Sequence, residues 1–298
     1  MRTAVLLFGE IRGFPELWRR IHEQVVVPNG ADVFMHNYYY DPDFLDAYND
    51  PEIKEALTYY YENKGLNLYP NEELYKIFAP VVRAVEKRKD FVTDHQSTID
   101  ELIRKCGDKY HRWAGKKFVE LDFNAIMSQH YSRKRVIELK RIYEAENGFI
   151  YDNVIMTRLD VNLLGPVQFS NPLTEARAKI LGQGVSIFEQ IIAGPSSSMD
   201  KLTTYVDSAP EYYIKSCSTS IHFMQNERFI YTHLVNNGVI IKNYDYPLDY
   251  SHSRNGLSRF NKSFVHEADK SKSSQIVFNE SCSYGPNQRS KRWTMFGR

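Results

Sequence analysis

Cysteine is scarce in this chain. Cys106, Cys217 and Cys282 are far apart and form no CxxC pair, which argues against a disulfide framework or a thiolate zinc site and fits a reducing compartment. Long apolar runs are missing as well. Nowhere do 18 apolar residues follow one another, so no membrane span is expected. The opening MRTAVLLFGE lacks the long apolar region and cleavage site of a secretory leader. Two Asn-X-Ser triplets, at Asn261 and Asn279, match a glycosylation pattern short enough to arise by chance. The expected location is the cytoplasm. An excess of one charge is also lacking: 38 Lys and Arg against 37 Asp and Glu leave a net charge of +1, which gives no electrostatic case for a nucleic-acid partner. Neither GxGxxG nor GxxxxGK followed by Ser or Thr occurs, so the dinucleotide fingerprint and the Walker loop are excluded. No internal repeat stands out.

What is present suits an α/β protein. The 298 residues are 42% hydrophobic and 25% charged, enough to bury one large core or two small ones. The 21 tyrosines and 17 phenylalanines supply flat, amphipathic surface for sugars or bases, and equally well fill a core. Ala4–Phe8 reads as a buried first strand. Gly9-Glu-Ile-Arg12-Gly13 follows as a loop, and Pro15 opens a helix whose Leu17, Trp18, Ile21 and Val25 share one face. Ala31–His36 is a second strand, which makes a βαβ unit with parallel pairing. Such a strand–loop–helix turn can offer backbone N–H groups and Arg12 to a phosphate, or leave Arg12 in solvent.

From Asn37 to about Asp122 the chain reads as a helical insertion carrying the runs Tyr38–Tyr40 and Tyr59–Tyr61. Helices are expected from Asp50-Pro51 to Glu62, over Asn71 to Arg88, and from Ser97 to Cys106 with a stop at Gly107. Met127 to Asn147 is the clearest helix, with Gly148 as its cap. Gln129 and Ser132 stand in its first turn. Lys179–Gly182, Ile187–Ala193 and Val239–Lys242 read as strands. The stretch around Ile187 also carries Glu189. Asn226-Glu227 starts a helix that Asn237-Gly238 ends, and the polar residues from Ser251 onward form an extension.

The centre of the pattern is Tyr151–Val161, YDNVIMTRLDV. Val154, Ile155 and Met156 make a buried strand, and Arg158 and Asp160 arrive at its C-terminal end. Ionised groups there need partners, and ligands of open α/β sheets bind at strand ends. Asp160 can hold a divalent metal and Arg158 a phosphate. The competing reading is an internal Arg158–Asp160 ion pair that orders a loop.

FGEIRGF, ADVFMH, QHYSRKRVIELKRIYE and YDNVIMTRLDV, with the later IIAGPSSSMDKL and NERFIYTHLVNNGVIIK, resemble in order a group of GT-A-like glycosyltransferases of bacteria and large DNA viruses. That group includes enzymes that decorate chlorovirus capsid glycans. The resemblance spans roughly Ala4 to Lys242. It implies a GT-A-like catalytic domain over 1–250, with a mostly parallel central sheet flanked by helices and a helical insertion at about 41–122. Residues 251–298 would pack on it as an extension. It implies transfer from a nucleotide-sugar donor, a UDP-sugar such as UDP-xylose, to a glycan hydroxyl, with Mn or Mg as cofactor. Phe8, Gly9, Arg12, His36, Gln129, Arg158 and Asp160 fall at the donor, Asp160 and His252 at the metal. Glu227, with Glu189 as the alternative, falls at the catalytic base of an inverting reaction. Here Arg158-Leu159-Asp160 stands where the group has two acids, so metal dependence is open, and Arg158 itself can neutralise the diphosphate. Two other classes remain: a Rossmann-like hydrolase or nucleotidyltransferase, for which a second carboxylate or Gly-rich loop is missing, and a non-catalytic carbohydrate-binding protein, which leaves Arg158 and Asp160 unexplained.

Overall fold

The computed structural model describes residues 1–11, 15–39, 43–47, 51–52, 54–55, 58, 72–114, 119–181, 186–219 and 225–248. Arg12, Tyr40, Tyr59–Tyr61, most of the helix expected up to Glu62, His252 and the rest of the C-terminal extension lie outside them. The chain divides into Met1–Leu257 and Ser258–Arg298, and every described residue belongs to the first unit. Among the described residues no helix is long and apolar enough to cross a membrane.

The framework is one seven-stranded sheet. Strand β1 (Thr3–Glu10) is buried from Thr3 to Phe8 and lies between β2 (Asp32–Tyr39) and β4 (Asn153–Arg158). The remaining strands are β3 (Val82–Lys87), β5 (Ala176–Ala178), β8 (Ile191–Pro195) and β9 (Ile241–Asn243), and the order is β3-β2-β1-β4-β8-β5-β9. Strands β6 (Ile180–Leu181) and β7 (Ser186–Ile187) form a separate small ribbon. Pairing is parallel at β3-β2, β2-β1, β1-β4 and β5-β9, and antiparallel at both edges of β8. Only β8 therefore runs against the rest of this sheet.

The alternation of β1 sorts the core into two layers. Ala4, Leu6 and Phe8 face one cluster, Val5 and Leu7 the other. The Val5 side is covered by α1 (Pro15–Ile21), a π turn at His22–Val26, the short α2 (Val27–Asn29) and α3 (Glu72–Phe78). Trp18, Ile21, Leu74 and Phe78 are its buried contributions. The Leu6 side is covered by α4 (Arg88–Ala114), α5 (Val119–Asn147), α7 (Tyr205–Thr219) and α8 (Asn226–Asn236). A four-residue helix, α6 (Ser196–Met199), links β8 to a 3-10 turn before α7. Each fully buried aliphatic or aromatic side chain in these layers contributes on the order of 1.5–3 kcal/mol. The architecture is thus α/β, a mostly parallel central sheet flanked by helices, as the sequence pattern implies.

Three local expectations are corrected. The helix expected up to Arg88 ends at Phe78, and Val82–Lys87 is strand β3, paired with β2. Ala79 takes φ 42° and Pro80 follows, which breaks the helical path; Val82 and Val85 then suit an edge strand. Gly107 does not stop its helix, because α4 runs on to Ala114. A mid-helix glycine costs only about 1 kcal/mol, which packing offsets. Helix α5 begins at Val119, eight residues before Met127. At its far end Gly148 has φ 69° and Phe149 N–H donates to the Glu144 carbonyl, the cap read from the sequence.

Candidate functional site

From β1 the chain moves outward to β2 and β3, then returns to place β4 on the other side of β1. The switch point of the sheet is therefore the gap between β1 and β4, and ligands of open α/β sheets bind outside the C-terminal ends of the strands at such a point. A cavity of about 130 Å³ lies there. Phe8, Gly9 and Glu10 from the end of β1, Arg158 with Leu159 and Asp160 from the end of β4, Tyr38 from β2, and Ala125, Ile126, Ser128 and Gln129 from α5 line it. This is smaller than the roughly 300–1,000 Å³ of pockets that enclose a drug-sized ligand. The described walls have room for a group on the scale of one sugar ring or phosphate.

Gly9 takes φ 99°, a conformation other residues rarely adopt. The turn it makes is held on both sides. Its N–H donates to Ser132 Oγ at 2.7 Å, and its carbonyl accepts from Asn37 Nδ2 at 3.1 Å. Ser132 spends its one proton on the His36 carbonyl at 3.1 Å. The 2.7 Å contact between Ser132 Oγ and His36 Nδ1 therefore places a proton on Nδ1. His36 is fully buried, and its Nε2 lies 3.3 Å from Glu86 Oε1, within ion-pair reach but out of hydrogen-bond alignment. His36 thus stands behind the cavity wall and supports the Gly9 turn through Ser132.

At the β4 end, Arg158 meets Asp160 by a two-point fork. Nε donates to Oδ1 at 2.8 Å and Nη2 to Oδ2 at 2.5 Å. Arg158 Nη1 also donates to Glu189 Oε1 at 3.3 Å. The internal ion pair read as one alternative from the sequence is therefore present, and it stands in the cavity wall. Of the five guanidinium N–H groups, these bonds use three and leave two without a partner among the described residues.

Glu189 reaches this place because β8 is reversed. It precedes β8 in a turn, and antiparallel pairing of Thr157 with Ile191 brings the start of β8 beside the end of β4. The residue is 6% exposed. Oε1 also accepts from Gln129 Nε2 at 3.1 Å, and Oε2 is in ion-pair contact with Arg133 Nη2. Arg133 is fully buried over the ring of Phe8, its guanidinium carbon 4.5 Å from the centroid. Burial pulls its pKa down to about 10, so it remains a cation at neutral pH.

A directed hydrogen-bond chain feeds Glu189 from α7 and α8. Gln129 Oε1 accepts from Asn226 Nδ2 at 2.6 Å, and Asn226 Oδ1 accepts from the Tyr213 hydroxyl at 3.1 Å. Tyr213 therefore accepts at 2.6 Å from His130 Nε2–H. His130 is a neutral imidazole with a bare Nδ1, and burial, with Arg133 nearby, holds its pKa well below the ordinary value. Every donor in this series points toward Glu189.

Of the residues expected at a donor site, Phe8, Gly9, Gln129, Arg158 and Asp160 are brought together on the cavity, His36 stands one layer behind, and Arg12 is outside the described residues. Glu227 is half-buried in the first turn of α8, close enough for its charge to act on Arg133 and Tyr205, and is not a cavity-lining residue. Sequence reading missed Arg133, Tyr213 and Asn226. The signal was there in part: Met127, His130, Arg133, Ile137, Lys140 and Glu144 repeat at helical spacing, but an apolar count skips four of them.

Comparison with known proteins adds little. No family model matches the chain, and no curated protein matches it by sequence. Its structure is similar to that of apo mouse xyloside xylosyltransferase 1. The TM-score is 0.39 and the identity 7%, over 82% of this chain and 85% of that one. A superposition this loose transfers no residue roles. The donor set for a metal is also thin. Among the described residues no three His, Cys, Asp or Glu side chains converge to hold an ion. Both oxygens of Asp160 are engaged by Arg158, and His252 is outside the described residues. The described residues thus do not form a preformed Mn or Mg centre.

Proposed function

We propose that the protein is a glycosyltransferase of GT-A-like fold, moving one sugar from a nucleoside diphosphate sugar to a hydroxyl of a glycan acceptor. The observation that carries this is the convergence of Phe8, Gly9, Gln129, Arg158 and Asp160 on one cavity at the sheet's switch point. They come from three distant segments, and all five are among the seven residues that the motif resemblance assigns to a donor. A UDP-sugar is the first donor to test, UDP-xylose among them, following the motif resemblance.

In this reading Arg158 meets the leaving diphosphate. Its two remaining N–H groups offer charged donors in a planar array that suits phosphate oxygens, and Asp160 and Glu189 hold that array still. Stabilising charge on a leaving group by a preorganised cation is among the largest contributions an enzyme can make. Phe8 and Tyr38 give the apolar wall against which a sugar or base ring can lie. Glu189 already accepts from Arg158 and Gln129 and is paired in charge with Arg133, so the role of general base goes to Glu227, at the start of α8. A carboxylate at a helix start is favoured there in any case, so its role needs its own test.

The experiment is a thermal-shift series with UDP-, GDP- and other nucleotide sugars, each with EDTA and with Mn. A ligand at ~100 times its Kd raises stability by about 2.7 kcal/mol, a rise of several degrees. We expect a shift with at least one UDP-sugar that persists in EDTA and disappears in Arg158→Met. No shift with any nucleotide sugar would refute the reading. A shift seen only with Mn would move the diphosphate's positive charge from Arg158 to a metal.

A further inference from the structure

We propose that Arg133 and Glu189 are positioning residues for Arg158, an anchor that reaches from the fully buried face of α5 to the cavity wall. The role assigned to them rests on the reading of Arg158 as the diphosphate-binding group. The anchor itself stands on geometry. Arg158 leaves the sheet at the end of β4, with its side chain 19% exposed. A guanidinium on so long a stem keeps one direction only if something fixes it. Asp160, two residues on, supplies a local fork, but it shares the loop and moves with Arg158. Glu189 comes from a different segment, the turn before β8, and ties the Arg158 side chain to the body of the fold.

Glu189 is in turn fixed from below. Arg133 holds Oε2, while Arg158 and Gln129 share Oε1. The four charges alternate from core to cleft: Arg133, Glu189, Arg158, Asp160. Stability is a poor explanation for the inner pair. A buried ion pair can often be exchanged for packed apolar side chains at no loss, or with a gain. Arg133 is also imperfectly satisfied, because among the described residues none of Nε, Nη1 and Nη2 makes a hydrogen bond and Glu189 Oε2 accepts none, which leaves the contact between them a charge pair only. What an apolar pair cannot do is hold a guanidinium in place by a directed, charged contact.

That difference makes the test. In the double variant Arg133→Met with Glu189→Met the inner pair is replaced by side chains of similar reach. Two quantities are then read: the rate at which phenylglyoxal modifies Arg158, followed on its peptide by mass spectrometry, and the Kd for the nucleotide sugar that shifts the wild type. We expect a melting temperature close to wild type, modification of Arg158 several-fold faster, and a Kd weaker by about tenfold, the scale of one lost charged hydrogen bond. Arg133→Lys, which keeps the charge, should restore most of the protection. If the double variant does not fold, Glu189→Gln, which keeps the shape and removes the charge, is read in the same way. Unchanged Arg158 reactivity in the folded variant overturns the anchor. Faster modification in a protein whose wild type binds no nucleotide sugar upholds the anchor and removes the donor reading, so the two fail separately.

Discussion

Glu86 shows how far neighbours can move one side chain. Burial alone would raise its pKa, but His36 at 3.3 Å and Arg135 at 3.1 Å outweigh burial and hold it at about 2. An unfolded glutamate titrates near pH ~4.3. The sign follows: a carboxylate with a depressed folded pKa adds stability above pH ~4.3, and that stability is lost as pH falls toward about 2. With screening at this partly exposed site discounted, the contribution is on the order of 2 kcal/mol. Urea unfolding of wild type and Glu86→Gln should therefore differ at pH 7 and converge only as pH falls to about 2. Parallel curves across that window would mean the ion pairs do not form in solution. At this scale the sequence was a good guide where chemistry coincides with a strand end. Phe8, Gly9, Arg158 and Asp160 could be read because a buried run stops abruptly in polar residues. It was a poor guide to partners: nothing near Arg133 in the sequence announces that its carboxylate is 56 positions away at Glu189.

Among the elements, α5 departs furthest from simple patterning. Its buried stripe includes Ser128, His130, Arg133, Lys140 and Glu144, so polar and charged residues share the face that an apolar pattern alone would define. Lys140 is fully buried. It bonds Glu144 at 3.0 Å, Asp200 at 2.9 Å and the Ser196 hydroxyl. Glu144 in turn accepts from Tyr151 N–H at 2.9 Å, just ahead of β4. Removing one partner from a buried network leaves charge uncompensated and costs about 3–5 kcal/mol. Lys140→Ala should lower the urea midpoint accordingly, and a loss under 1 kcal/mol would contradict the burial assigned to it. Strand β3 was hidden from the sequence for a related reason. Pro80 marked the disturbance in the helix, but only pairing with β2 makes a strand of a short, half-buried segment. The reversed β8 was equally hidden, since direction is a property of the sheet and not of a five-residue run.

For the whole molecule the sequence conveyed the plan well: strand, helix, parallel strand, a helical block, a long helix and a buried central strand. Parallel pairing of β1 with β2 follows from the helix between them. The position of β4 on the other edge of β1, which creates the cleft, had to come from tertiary packing. That arrangement ranks the strands by protection. β1 and β4 are paired on both edges and buried, so their amides should exchange only on global unfolding, whereas β9 at the sheet's rim and the β6–β7 ribbon should exchange sooner. Hydrogen-exchange mass spectrometry would reveal this order, and equal protection of β9 and β1 would contradict it.

Helix α5 has 29 residues, a rod of about 44 Å at 1.5 Å per residue. It is pinned at Ser132 to the Gly9 turn, at Arg133 to the approach of β8, and at Lys140 to the base of α6. A wall nailed down at three stations along its length cannot slide to grip a guest. Whatever enters beside Gln129 meets a fixed surface on that side.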